Sequence, residues 1–316
     1  MLKQIFKTAW AVTLAVFYFS NPALASDQNN SDCMELFNQV QEAYSKTNFE
    51  ATVIESNPMA LELYSLAHFD RSGISYTSWK SLNNEIAGYA LRNNKGFDYN
   101  TNRSYIGPLS WHQSIVWDKL FSNTTKLVGY ECTLIGRSRL AGRRVSVLRL
   151  NPIDEVRYGF MVAKDDDTSL PVELAITTPS KMVNARLTVS AVQATALDNL
   201  NFPDDTFDRS ESMQPKANTE KSTIWSELTI PKFFKLIDHG KIEQQKGVFA
   251  DYQKFSDGLV EFMVYKNTKT DLMIQSASDG TLTVFRKNSE KYEYAVVGEI
   301  PLELSSLVLS KIKHTN

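Results

Sequence analysis

The chain has 316 residues with 34 basic and 36 acidic side chains, a net charge of −2, and 42% hydrophobic residues, 11% of all residues being aromatic. A near-balanced charge excludes nucleic acid as the main partner, since that calls for a basic face. The length suits about two domains of roughly 150 residues each, and the apolar content suffices for two ordinary cores.

Residues 1–25 read as a processing segment. Lys3 and Lys7 give a basic start, an apolar run extends from Ala9 to Phe19, Asn21-Pro22 breaks it, and Ala23-Leu24-Ala25 supplies a small-x-small cleavage pattern. The run falls short of the about 20 apolar residues a spanning helix needs. The mature chain is expected to begin at Ser26, with no Cys there to accept a lipid; an uncleaved anchor is the alternative. Cys33 and Cys132 are the two cysteines. In an oxidising compartment such a pair suggests a disulfide, the other reading being two buried thiols that never meet.

A helix is expected from Asp32, which can cap it, with Glu35 at capping-box spacing and an apolar face of Leu36, Phe37, Val40, Ala43 and Tyr44. From Phe49 to about Arg103 short strand-like runs separated by Asn, Gly, Ser and Asp predict an antiparallel meander. Pro108 to Leu120 reads as helical, with Trp111, Ile115, Val116 and Leu120 on one face. Strands resume from Val128, and the alternation is clearest over 172–177 and 186–191, the period of a half-buried sheet. Asp165-Asp166-Asp167 reads as a solvated hairpin tip rather than a cation loop, because no Ca²⁺-loop spacing follows. Residues 204–222 have a linker composition. Six strand-like runs then lead to a last helix after Pro301, with Glu303 in its first turn and Lys311, Lys313 and His314 at its end.

Signatures of catalysis are missing: there is no nucleophile elbow, no P-loop, no dinucleotide fingerprint and no zinc-protease motif. His68, His112, His239 and His314 have no second His or Cys at ligand spacing, so no metal and no cofactor is expected. The positive signal is the aromatic content of the first domain. A curved sheet wrapped on a helix can hold an apolar cavity, for which Trp79, Phe97, Tyr99, Trp111, Trp117 and Phe160 are the candidate lining, against the plainer reading of an ordinary core. Arg137, Arg139, Arg143 and Arg144 surround a Gly-containing turn and read either as an anion contact or as a solvated hairpin.

Four segments carry a resemblance. Gly136-Arg137-Ser138-Arg139-Leu140-Ala141-Gly142-Arg143 with the strand 145–150, Arg157-Tyr158-Gly159-Phe160-Met161-Val162 with Leu170-Pro171-Val172-Glu173-Leu174, Tyr252 to Phe262, and Val296-Val297-Gly298-Glu299-Ile300-Pro301 are similar to motifs of the RseB/MucB family in the same order. Leu82 to Ile86 and Trp225 to Phe234 depart from the family pattern, the latter lacking its Gly. The resemblance implies an α+β chain: a LolA/LolB-like half-open antiparallel β-barrel with helices over 26–203, a linker over 204–222, and a smaller sheet-and-helix domain over 223–316. It implies a non-enzymatic periplasmic regulator of sigma-E signalling. Such a protein binds the periplasmic domain of an RseA-type anti-sigma factor, shields it from proteolysis, and is released by lipopolysaccharide or another acylated ligand. A periplasmic lipid or lipoprotein carrier and an exported hydrolase are the alternatives, and a homo-oligomer is left open. In the second domain, alternation puts Tyr252, Lys254 and Ser256 on one strand face, the candidate anti-sigma contact, while Phe255 and Leu259 face inward and Asp257-Gly258 forms a turn.

Overall fold

A computed structural model describes residues 22–58, 60–83, 87–93, 95–99, 103–106, 113–122, 126–195, 217–218, 223–245, 248–269 and 274–313. Most of the expected leader, together with Trp111, His112 and His314, lies outside the described residues. The first helix, α1, spans Pro22–Lys46 and so starts ten residues before the expected cap at Asp32. Proline is at home in a first helical turn, where its missing N–H would have no partner anyway, and no breaker follows before Asp32. Asp32 and Glu35 are therefore interior to the helix. Its buried stripe is Cys33, Phe37, Val40 and Tyr44.

Eleven strands follow in the first domain: β1 (Phe49–Ser56), β2 (Leu61–Arg71), β3 (Ile74–Ser81), β4 (Gly88–Arg92), β5 (Lys95–Asp98), β6 (Arg103–Ile106), β7 (Tyr130–Leu140), β8 (Arg143–Pro152), β9 (Gly159–Asp165), β10 (Pro171–Thr177) and β11 (Val183–Ala194). Their order is β6-β5-β4-β3-β2-β1-β11-β10-β9-β8-β7, antiparallel throughout. Two local meanders are thus joined by one distant pairing, β1 with β11. The edges β6 and β7 do not pair with each other, so the barrel is half open. The chain crosses from one edge to the other through α2 (Gln113–Phe121). Strict alternation explains the inward set on β1, where Phe49, Ala51 and Val53 are buried and their neighbours are only partly so.

The second sheet is smaller: β12 (Ala217–Asn218), β13 (Lys235–Gln245), β14 (Val248–Ser256), β15 (Glu261–Thr268), β16 (Ser276–Asp279), β17 (Leu282–Asn288) and β18 (Tyr292–Gly298), ordered β12-β13-β14-β15-β18-β17-β16. Part of the expected linker is therefore an edge strand, since Ala217 and Asn218 pair with Ile242 and Lys241. The last helix, α3, spans Leu302–Val308 and carries Glu303 in its first turn. It ends earlier than expected, so Lys311 and Lys313 lie past it; Lys287 Nζ instead donates to the Leu309 carbonyl at 3.1 Å. This is the α+β architecture that the family resemblance implies, a half-open antiparallel barrel with helices and a smaller sheet-and-helix domain.

Two covalent or ionic ties hold these parts. Cys33 and Cys132 form a disulfide that fastens α1 to β7, with Cα atoms 5.5 Å apart and a sequence separation of 99. Loop-closure entropy values such a bridge at about 4–5 kcal/mol. Asn30 Oδ1 accepts the Cys132 N–H beside it at 2.7 Å. The second tie is Arg157, whose side chain is 1% exposed. Its Nε donates to Asp154 Oδ2 at 2.7 Å, Nη1 to Asp257 Oδ2 at 2.8 Å and to the Val128 carbonyl at 3.0 Å, and Nη2 to the Gly129 carbonyl at 2.8 Å. The guanidinium sits 4.4 Å from the Tyr130 ring centroid and 4.6 Å from that of Phe233. Gly129 has φ +72°, and a Cβ there would come within 2.5 Å of the Phe233 ring. Tyr158 Oη donates to the Thr281 carbonyl at 3.1 Å, and Asn184 Nδ2 to that of Gly280 at 2.5 Å. One apolar core runs from Phe37 through Phe160 to Phe262 and Val296.

Removing one partner of a buried ion pair strands the other charge. Arg157→Ala is expected to lower unfolding free energy by about 3–5 kcal/mol in urea titrations, while Arg157→Met with Asp257→Leu loses less. A loss under about 1 kcal/mol for the single variant contradicts this reading.

Candidate functional site: the barrel lumen and the second sheet

The six aromatic residues singled out for a cavity do not share one place. Trp79 on β3 and Trp117 on α2 are fully buried and meet edge-to-face at 6.2 Å, with Phe121 beside Trp117 at 4.8 Å. Phe160 on β9 is also buried, next to Tyr130. Phe97 and Tyr99 are elsewhere. The register Ser78–Ala90–Phe97 runs beside Trp79–Tyr89–Asp98, so Phe97 lies on the opposite sheet face from Trp79. Tyr99 packs on Phe97 and hydrogen-bonds Ser78 on that outer face at 2.8 Å. Period-2 alternation thus removes both from the lumen, and Trp111 is outside the described residues.

The lumen is occupied by the protein's own helices. Phe37, Val40 and Tyr44 of α1 and Val116, Trp117, Leu120 and Phe121 of α2 pack in the core with Trp79 and Tyr89. At its centre stands Asp118, whose Oδ1 accepts from Tyr44 Oη at 2.7 Å and whose Oδ2 accepts from Trp79 Nε1 and Tyr89 Oη, both at 3.0 Å. Gln41 Nε2 of α1 holds the end of α2 through the Leu120 and Ser122 carbonyls at 2.9 and 3.1 Å. Burial pushes the Asp118 carboxyl up to about 7, against the three hydrogen bonds that favour its anion. The sequence signal for it is an acid set among Val116, Trp117, Leu120 and Phe121 in one short helix, where a buried carboxylate must find donors. His68 is a neutral core residue: burial lowers it to about 4, and its Nδ1 pairs with Thr77 Oγ1 at 2.9 Å.

In the second sheet Tyr252, Lys254 and Ser256 do share one face of β14, with Tyr265 and Met263 opposite the first two. Phe255 and Leu259 enter the core, and Gly258 turns with φ +97°. Yet β14 is paired on both sides, with β13 and β15, so no peptide can add beside it as a strand; contact must come over the face. Tyr252 is only 5% exposed and donates to Asp238 Oδ2 at 2.9 Å. Burial first, and then that carboxylate, push its hydroxyl up to about 12. Lys254 Nζ pairs with Glu261 at 2.6 Å, and Ser256 Oγ accepts the Gly258 N–H at 3.0 Å. Asp257, read from sequence only as a turn residue, is the counter-ion of Arg157 and also accepts the Leu259 and Val260 N–H groups, both at 2.9 Å.

The arginine hairpin and the acidic turn neutralise each other. Arg143 pairs with Asp165 at 2.6 Å, Arg144 with Asp167 at 2.8 Å, and Ser146 Oγ donates to Asp166 at 2.7 Å, while Arg137 and Arg139 stay exposed. Burial opposes the Asp165 charge, but Arg143 and two backbone N–H groups outweigh it and hold the carboxyl below its usual value. Among the described residues no group of His, Cys, Asp and Glu is arranged to hold a metal.

A carboxyl whose folded pKa exceeds its unfolded one binds its proton more tightly in the native state. The Asp118 contribution to stability is therefore complete below its ordinary 3.8 and lost as pH rises toward about 7. Urea unfolding at stepped pH should show stability falling over that interval, and Asp118→Asn should flatten the slope. An unchanged slope in the variant refutes the assignment.

The model of the MucB/RseB N-terminal domain matches residues 32–211, and that of the MucB/RseB C-terminal domain matches residues 219–313. The chain is 20% identical over 288 residues to the sigma-E factor regulatory protein RseB of Haemophilus influenzae, covering 87% of this chain and 89% of that protein. It is 28% identical over 198 residues to the sigma factor AlgU regulatory protein MucB of Pseudomonas aeruginosa, covering 58% and 60%. Its fold is similar to that of a chain in the complex structure of Pseudomonas aeruginosa MucA/MucB, with a TM-score of 0.64 at 19% identity over 88% of this chain and 97% of that one. A structure of MucB in complex with MucA(peri) gives a TM-score of 0.62, also at 19% identity, over 90% of this chain and 100% of that one. With both of its domains matched, the chain belongs to the MucB/RseB family of regulatory, non-enzymatic proteins, whose members are typically periplasmic.

Proposed function

We propose that this chain is exported to the periplasm, with a leader over 1–25 removed, and binds the periplasmic segment of an RseA-type anti-sigma factor, shielding it from proteolysis. Lipopolysaccharide or another acylated envelope component releases it. The observation that carries this reading is the match of both family domains, together with the likeness in fold to MucB, which has been crystallised with MucA(peri). The second domain and the end of the linker carry the anti-sigma contact, and the barrel senses the acylated ligand. A plain lipid carrier would need the first domain alone; the buried join at Arg157 argues for a two-domain function.

An acyl chain and α2 compete for one volume, because Trp117 and Phe121 already fill the lumen. Ligand entry therefore requires α2 to leave Asp118's three donors, and that movement links lipid to partner release as a coupling free energy. The anti-sigma segment lies over the face of β14, where Tyr252, Lys254 and Ser256 meet it with Met263 and Tyr265.

The test uses the whole chain, since separated halves would each expose part of a shared core. In fluorescence titrations of a labelled RseA-type periplasmic segment, Tyr252→Ala should lose about 1–3 kcal/mol of affinity and Lys254→Glu should also weaken binding. Unaltered affinity in both folded variants removes the contact from this face. No binding by the wild-type chain removes the function.

A further inference from the structure

We propose that the junction between the two domains is a recognition site for a cationic side chain, a guanidinium or ammonium on an extended peptide, with Glu55 and Glu62 as its carboxylates and Asp279 at its rim. The inference deepens the proposed function by naming the chemistry of a partner segment, but its evidence is separate. Glu55 on β1 and Glu62 on β2 are directly opposite in the antiparallel register, so their side chains share a face. Like charges placed so are destabilising, and sheets ordinarily avoid them. Glu55 is only 8% exposed, and its Oε2 is buried without a hydrogen-bond partner among the described residues. A buried polar atom left unpaired costs free energy that a fold does not retain without return.

The surroundings point to a cation. Asp279 on β16 adds its negative charge to those of Glu62 and Glu55. It is held there by both domains, because Asn184 Nδ2 of β11 donates to the adjacent Gly280 carbonyl at 2.5 Å. Arg186, which faces Ser56 in the β1–β11 register, is engaged with Glu173 at 3.7 Å. Burial, reinforced by Glu62 and Asp279, pushes the Glu55 carboxyl up to about 7, as expected where no positive group among the described residues relieves it. Tyr64 shares the face of Glu62 two residues on and meets Trp79 edge-to-face at 6.1 Å, giving the site an aromatic wall. Leu61 and Val183, 61% and 45% exposed, adjoin Glu62 and Asn184 in sequence and offer apolar surface to the residues flanking the cation. These carboxylates are not grouped tightly enough to hold a metal. A long, flexible organic cation can satisfy them where a small ion cannot.

The test is a fluorescence-anisotropy titration of the full chain with a labelled Gly-Leu-Arg-Leu-Gly amide, against the same peptide with Gln for Arg. The Arg peptide should bind at least about tenfold tighter, and Glu55→Gln and Glu62→Gln should each abolish that preference. In the absence of peptide, Glu55→Gln should raise Tm, because it removes an unpaired buried charge. Equal binding of the two peptides overturns the proposal, and so does an undiminished Arg preference in both variants. A lowered Tm in Glu55→Gln also overturns it, since the carboxylate would then be satisfied within the fold. Loss of anti-sigma binding without loss of the Arg preference would remove the proposed function and leave this site standing.

Discussion

Arg157 is the constraint on which the arrangement of this molecule depends. Taking a guanidinium out of water is costly, and it is tolerated here because its donors find two carboxylates and two carbonyls while its faces lie against Tyr130 and Phe233. These partners come from both domains, so the charge is satisfied only when the domains are together. Asp257 is fixed in turn by the Leu259 and Val260 N–H groups, and Gly129 leaves room for the Phe233 ring. The second domain is thereby part of the same cooperative structure as the barrel rather than a tethered companion.

That unity bears on signalling. Under the proposed function, a partner gripping the second sheet and a ligand entering the barrel would act on one apolar core, which runs between the two sheets. The element at the centre of the barrel is α2. It bridges the open edges of the barrel, it fills the lumen, and its buried Asp118 holds a proton more readily than an exposed carboxyl does. Around it stand the paired strands β1 and β11 and the helix fastened by Cys33–Cys132. Under the proposed function, α2 would be the part that moves while this frame stays intact.

Much of this was legible in the sequence, and the parts that were not share a cause. The alternation in 172–177 and 186–191 located β10 and β11, and the final helix followed from Pro301, because those signals are local. The start of α1 differs from the expected one because the capping box at Asp32 is a strong local signal, while the permissive stretch before it continues the helix to Pro22. Aromatic composition points Phe97 and Tyr99 to the lumen, whereas one residue of register places them outside. Arg157 and Asp257 carry no visible signal, and Asp118 carries only that of an acid among apolar helical neighbours. Each has its defining partners across the fold, Asp118 with Trp79 and Arg157 with Asp257, and no spacing rule reports such a meeting.

The central claim is that one domain-locked unit binds its partner through the second domain. Hydrogen–deuterium exchange of the full chain, alone and with an RseA-type periplasmic segment, tests it most directly. The account predicts new protection in the second sheet around β14 and the end of the linker, with the amides near Arg157 and Asp257 slow in both states. New protection confined to the barrel strands, or amides beside Arg157 that become fast on binding, would contradict it.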